Sequence, residues 1–142
     1  MVRIGIIGAA GLSGLELLHL LSRHSEATVK LVTSTKYQGK KVTEVFPEIY
    51  QYSLTFNSNE TDVLGCDVVF LAVPNEASLA LVPKLLEQGI RVIDLSGAYR
   101  LADTKVFEKF YKLTHTYPEL LKEAVFGLPE FFSKQISVAK LV

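Results

Sequence analysis

An α/β fold is predicted from the sequence, a doubly wound and mostly parallel sheet sandwiched in a three-layer αβα arrangement, and three observations predict it. Short β-branched runs alternate with helical patterns along the chain, which is the signature of βαβ units with right-handed crossovers. The first run, Val2–Ile7, is almost continuously apolar, as expected of a strand covered on both faces of a parallel sheet. It leads directly into a glycine-rich turn that opens an amphipathic helix.

The helix is read over residues 12–23, where Leu12, Leu15, Leu18 and Leu21 recur at helical spacing and Leu17 and Leu20 widen the stripe. Val29–Thr33 is the second strand, followed by a polar loop, Lys36–Lys41, that contains Gly39. Ser53–Phe56 reads as a short strand, and Val68–Val73 as a stronger one that Pro74 ends. A helix over Glu76–Glu87 closes at Gly89, with Pro83 inside it implying a kink or a late start. Ile90–Leu95 is the next strand. Helical pieces follow around Thr104–Tyr111 and Glu119–Lys122, and Ile136–Val142 reads as a final apolar strand.

The 142 residues suit one domain, 1–142, with 49% hydrophobic side chains and 15 basic against 15 acidic groups. That balance leaves no electrostatic footprint for nucleic acid or for an anionic membrane. No apolar run approaches the roughly 18 residues that suggest a membrane span. Three glycines interrupt the apolar opening segment, which favours a folded strand and turn over a cleaved leader. The single cysteine, Cys66, excludes an internal disulfide and points to a reducing, cytoplasmic setting. It precedes the Val68 strand, at the end of the sheet opposite the expected chemistry, and reads as a turn or buried thiol. His19 and His24 lie five residues apart, off one helical face, and no metal-ligand spacing is present. Glu44 and Glu48 read as surface charge. A mean hydropathy of +0.27 is high for a self-contained domain and implies an apolar face that meets something else.

Ligands in such sheets bind beyond the carboxyl ends of the strands, so chemistry is expected just after each strand. After the first, Gly8-Ala9-Ala10-Gly11-Leu12-Ser13-Gly14 offers backbone N–H groups and a helix start to a diphosphate. Gly8 would allow the tight turn, Gly11 the approach of a phosphate and Gly14 the packing of helix on strand, with Ser13 adding a hydroxyl. The spacing is G-x-x-G-x-x-G, so a ligand-free strand-to-helix turn is the plain alternative. After the second strand, Thr33-Ser34-Thr35-Lys36 has hydroxyls and an ammonium where an NAD site usually places an acid. Ser34, Thr35 and Lys36 therefore predict NADP(H) over NAD(H), unless Lys36 is only a solvated loop charge.

Taken with that Rossmann-like turn, V-F-L-A-V-P-N at Val69–Asn75, V-I-D-L-S-G-A-Y-R-L at Val92–Leu101 and F-G-L-P-E at Phe126–Glu130 resemble N-acetyl-γ-glutamyl-phosphate reductase, an NADP-dependent family of arginine biosynthesis. The stretch Tyr111–Glu130, with His115 and Pro118-Glu119-Leu120, is similar to the same family, so the resemblance runs along essentially the whole chain. Leu95-Ser96-Gly97 stands where aspartate-semialdehyde dehydrogenases commonly carry Asn-Ser-Ser, which favours the glutamyl-phosphate branch. The resemblance implies reduction of a small-molecule acyl phosphate through a cysteine thiolate, which displaces phosphate to give a thioester before hydride arrives from NADPH. That cysteine is expected just after Val142, and the family's general acid/base histidine farther on. The chain is thus expected to be the NADP-binding part of a longer, homo-oligomeric enzyme, with no catalytic nucleophile of its own.

The same resemblance places Arg100 near the substrate phosphoryl group and Val73, Pro74, Ser96 and Gly97 beside the nicotinamide, Ser96 also bordering the phosphate. Glu130 is placed close to the cysteine. Arg100 suits a phosphate by its planar fork, but equally a tie to Asp94 or Asp103. His115 is read either as a polar group at the rim of the site or as a structural cap. Asn75, where the family often has His, and Ala98, where it often has an acid, are departures that bear on the nicotinamide loops. A lysine-pathway aminoadipyl-phosphate reductase, an aspartyl-phosphate reductase and a non-catalytic nucleotide-binding module remain the alternatives.

Overall fold

In the computed structural model, which describes residues 1–142, the chain divides into two compact units, Met1–Ala72 and Val73–Val142. The first is built around β1 (Val2–Ile7), which pairs in parallel with β2 (Ala27–Val32) on one side and β3 (Val68–Leu71) on the other. A central strand has no solvent-facing edge, and Ile4, Ile6 and Ile7 are accordingly buried. The register of β1 on β2 shifts between Ile4 and Gly5.

Helix α1 (Leu12–Leu21) packs on this sheet through Gly14 and Leu18, its two buried residues. Burying a leucine such as Leu18 contributes about 1.5–3 kcal/mol. The stripe read from the sequence is narrower in the structure: Leu12 is 91% exposed and Leu20 62%. Leu12 is the first residue of the helix, where the chain is still leaving the sheet, and the helix ends at Leu21, leaving His24 in the following turn with its Nδ1 accepting from Glu26 N–H.

The Ser53–Phe56 strand is reduced to isolated bridges, Thr55 with Lys41 and Asn57 with Thr33. A short helix, α2 (Val42–Val45), precedes it, with Glu44 accepting from the Lys41 N–H. Val42, Ile49 and Phe56 close the core here, and the rings of Tyr37 and Phe46 each meet Phe56 at 6.3 Å between centroids.

In the second unit, α3 (Asn75–Glu87) runs unbroken through the buried Pro83. It starts at Asn75 and so not late, and the proline sits among the packed residues of the helix. Gly89, at φ +75°, ends it: its N–H reaches Leu86 O and the Ile90 N–H reaches Leu85 O, the paired bonds of a left-handed helix terminus. β4 (Arg91–Asp94) follows. Asp103 caps α4 (Thr104–Tyr111) by accepting from the N–H groups of Lys105 and Val106. A 3₁₀ turn spans Leu120–Lys122.

Of the final strand expected over Ile136–Val142, the first three residues are helix instead. α5 (Pro129–Val138) has proline at its start and Glu130 in its first turn, both favourable at a helix N-terminus, and it kinks at Phe132, whose backbone leaves helical geometry at φ −120° and ψ 21°. Only Lys140–Val142 is extended, pairing in parallel with β4 through Val92 N–H to Lys140 O, Val142 N–H to Val92 O and Asp94 N–H to Val142 O.

Candidate functional site

The glycine turn lies in the first unit. Gly8 has φ +83°, a conformation that favours glycine, and its own N–H is spent on Thr33 Oγ1 at 3.1 Å. Ala9 N–H goes to Thr33 O and Gly11 N–H to Gly8 O, so neither Gly8 nor Gly11 supplies a free donor. A Cβ on Gly14 would stand 2.5 Å from Ala9 Cα, which is why the helix can seat so closely on the turn. The donors left over are the N–H groups of Ala10, Leu12, Ser13 and Gly14, which meet no acceptor in the chain. Helix α1 has no side-chain cap and no acid in its first turn. Its positive end therefore faces outward without a counter-charge.

At the end of β2 the four polar residues separate into two roles. Thr33 and Ser34 are buried, and Ser34 Oγ accepts from Tyr37 N–H at 3.1 Å to fold the loop. Thr35 and Lys36 are exposed. Lys36 Nζ lies 5.0 Å from the centre of the Tyr37 ring and makes no ion pair. Sequence reasoning missed Asn59, whose carboxamide joins Thr33 to Thr35. Only its separation along the chain hid it, since no local pattern marks a contact 24 or 26 residues away.

In the second unit the segment after β4 is tightly ordered. The Asp94 carboxylate accepts from both Ser96 N–H and Ser96 Oγ at 2.9 Å, and Ser96 Oγ accepts from Ala98 N–H. Asn75 Oδ1 accepts from Gly97 N–H at 2.7 Å, so the departure at Asn75 has a defined partner. Asp94, Ser96, Arg100, Phe126, Ile136 and Val142 line one cavity of about 450 Å³. The Arg100 guanidinium donates to Ser96 O at 3.2 Å and pairs with no carboxylate. The tie to Asp94 or Asp103 is not made, because Asp94 holds Ser96 and Asp103 caps α4. Glu130 is exposed and outside the cavity wall, although its neighbour Pro129 is part of it. Val73 is partly buried and Pro74 is exposed at the start of α3.

His115 is a structural cap. It is 6% exposed, its Nε2–H donates to Ala98 O at 2.9 Å, and its Nδ1 accepts from Tyr117 N–H. Tyr99 and Phe107 meet its ring edge to face. Burial lowers its pKa, against the opposing pull of the Ala98 carbonyl. In the first unit, burial raises the Cys66 thiol, which leaves it protonated and unreactive. Beside it, hydrogen bonds from the Arg3 side chain and backbone hold the Asp67 carboxyl down at about 2.

A parallel sheet whose central strand delivers an uncapped glycine turn to a helix start defines a dinucleotide-binding α/β domain of the Rossmann type. The chain belongs to the family described as semialdehyde dehydrogenase, NAD binding domain, whose profile matches residues 3–139. It is 49% identical to an N-acetyl-gamma-glutamyl-phosphate reductase of Leptospira borgpetersenii, over all of this chain and 42% of that protein. It is 44% identical to a [LysW]-L-2-aminoadipate/[LysW]-L-glutamate phosphate reductase of Sulfurisphaera tokodaii, again over the whole chain and 42% of the relative. The fold is shared with an aspartate semialdehyde dehydrogenase of Candida albicans crystallised with NADP. The TM-score is 0.60 at 27% identity, over 70% of this chain and 31% of that one. The chain thus spans less than half the length of the relatives it matches. No helix is long and apolar enough to cross a membrane.

Proposed function

We propose that this chain is the NADP-binding part of an acyl-phosphate reductase that acts on N-acetyl-γ-glutamyl phosphate in arginine biosynthesis. The observation that carries the reading is the set of four unpartnered N–H groups, from Ala10, Leu12, Ser13 and Gly14, at an uncapped helix start. Such a cradle fits a diphosphate, because every group in it donates and nothing in it repels an anion. When bound, NADPH supplies the hydride. The amides of the turn hold the diphosphate, Ser13 adds a hydroxyl, and Thr35 and Lys36 hold the 2′-phosphate. Val73, Pro74, Ser96 and Gly97 border the nicotinamide.

Arg100 binds the phosphoryl group of the substrate. Its guanidinium lies on the cavity wall that Ser96 and Val142 share, free of any carboxylate partner. In this reading the reactive thiol follows Val142, so Arg100 and that thiol border the same cavity. Glu130 acts near that cavity from the start of α5, which Pro129 anchors on the cavity wall. The 44% identity to the [LysW]-aminoadipate reductase supports a second substrate reading, an aminoadipyl phosphate.

Titration of the chain with NADPH and NADH tests the cofactor, with saturable binding expected for NADPH and much weaker binding for NADH. Lys36→Ala is expected to remove about 1.5–3 kcal/mol of NADPH affinity, the usual worth of a charged hydrogen bond, and to leave NADH unaffected. Equal losses for both nucleotides would remove Lys36 from the 2′-phosphate. Assays of the full-length enzyme on the two acyl phosphates decide the substrate.

A further inference from the structure

Asn59 sits in the loop after the Asn57 bridge, outside every motif the sequence singles out. The loop is pinned to the end of β2 by Ser34 N–H to Asn57 O at 3.0 Å and Asn57 N–H to Val32 O at 2.9 Å. From there Asn59 closes a one-way chain of hydrogen bonds. Gly8 N–H donates to Thr33 Oγ1, Thr33 Oγ1–H donates to Asn59 Oδ1, and Asn59 Nδ2–H donates to Thr35 Oγ1 at 3.1 Å.

The directions follow from the atoms in contact. Thr33 Oγ1 accepts from Gly8 N–H, and its 2.5 Å contact with Asn59 Oδ1 joins two oxygens, a link that takes the Thr33 proton. The carboxamide then presents oxygen to Thr33, which turns its NH₂ toward Thr35. Thr35 Oγ1 accepts there and keeps its own proton for a partner outside the chain. The exposed end of β2 consequently turns two donors outward, the Thr35 hydroxyl proton and the Lys36 ammonium.

We propose that Asn59 is a specificity-determining residue for the nucleotide. By engaging the Thr35 oxygen with a donor, it turns the Thr35 proton outward beside Lys36, which fits this corner to a phosphomonoester on the adenosine ribose, an anionic, acceptor-only group, more than to a neutral hydroxyl. The proposal rests on the reading of the glycine turn as the nucleotide site.

The test is calorimetric titration of the chain and its Asn59→Asp variant with NADPH, NADH, adenosine 2′,5′-bisphosphate and ADP. A carboxylate at this position cannot donate to Thr35 and draws its proton inward. Asn59→Asp is expected to weaken NADPH and the 2′,5′-bisphosphate about tenfold or more, while NADH and ADP stay within about twofold, a difference typical of one charge-assisted hydrogen bond. Thr35→Val, at an exposed position, is expected to give the same selective loss. In the double variant the two losses should not add, and Thr35→Val carries the test if Asn59→Asp fails to fold. Parallel losses for all four ligands, or no change in selectivity, would overturn the role of Asn59 while leaving the nucleotide site intact. Absence of binding by the unaltered chain would instead bring down the nucleotide site and the proposal with it.

Discussion

His115 shows how a residue that the sequence leaves between a rim group and a structural cap is explained by its surroundings. Both ring nitrogens are occupied, one donating to Ala98 O and one accepting from Tyr117 N–H, so the bound form is the neutral imidazole. Burial sets its pKa below the ordinary 6.5, and between those two values the unfolded chain binds the proton more readily than the folded one. Its contribution to stability is therefore complete above about 6.5 and is lost as pH falls through the folded value. Asp67, held near 2, loses its contribution only under far more acidic conditions, as pH falls from its ordinary 3.8 toward 2. Urea midpoints between pH 7 and 5.5 should fall for the unaltered chain and stay flatter for His115→Gln. Equal slopes would show that His115 is not the titrating group. The sequence left His115 open because what settles it lies elsewhere along the chain: the Ala98 carbonyl is 17 residues away. By contrast the polar run at the end of β2 is visible in the sequence, while the division into buried Thr33 and Ser34 and exposed Thr35 and Lys36, and the Asn59 link between Thr33 and Thr35, required the structure.

Elements were legible where local chemistry decides them. The alternation of strand and helix emerges from short-range pattern, and α4 spans the residues the sequence indicated because Asp103 caps its start and an apolar stripe ends in Tyr111. Ile136–Val142 is half right as a strand: a branched apolar run looks extended throughout, whereas its first three residues close α5. Its last three residues do extend, but the partner that draws them out is the distant β4. The segment after β4 illustrates packing between elements. A Cβ on Gly97 would fall on the ring of Tyr111, which itself lies 5.0 Å from Phe107. Gly97→Ala is expected to cost about 1–3 kcal/mol as the ring is displaced, the range for overpacking. The same substitution in a Tyr111→Ala background should cost well under about 1 kcal/mol, since directly contacting residues couple. Denaturant unfolding of the four proteins of that cycle measures the coupling, and a cost independent of Tyr111 would refute the contact.

Across the whole chain, large apolar side chains stand exposed in both units, Leu12 and Leu64 in the first and Phe131 and Val138 in the second. Helix α5 buries none of its residues, and Phe126, Phe131 and Val138 are exposed by half or more. The glycine turn has the opposite property, a set of polar groups left unsatisfied by the fold where the diphosphate is proposed to bind. Amide-resolved NMR during an NADPH titration tests it most directly. The signals of Ala10, Leu12, Ser13 and Gly14 should move together and saturate, while those of Gly8 and Gly11, already bonded within the chain, move less. Saturation of the titration with those four signals unmoved would contradict the claim.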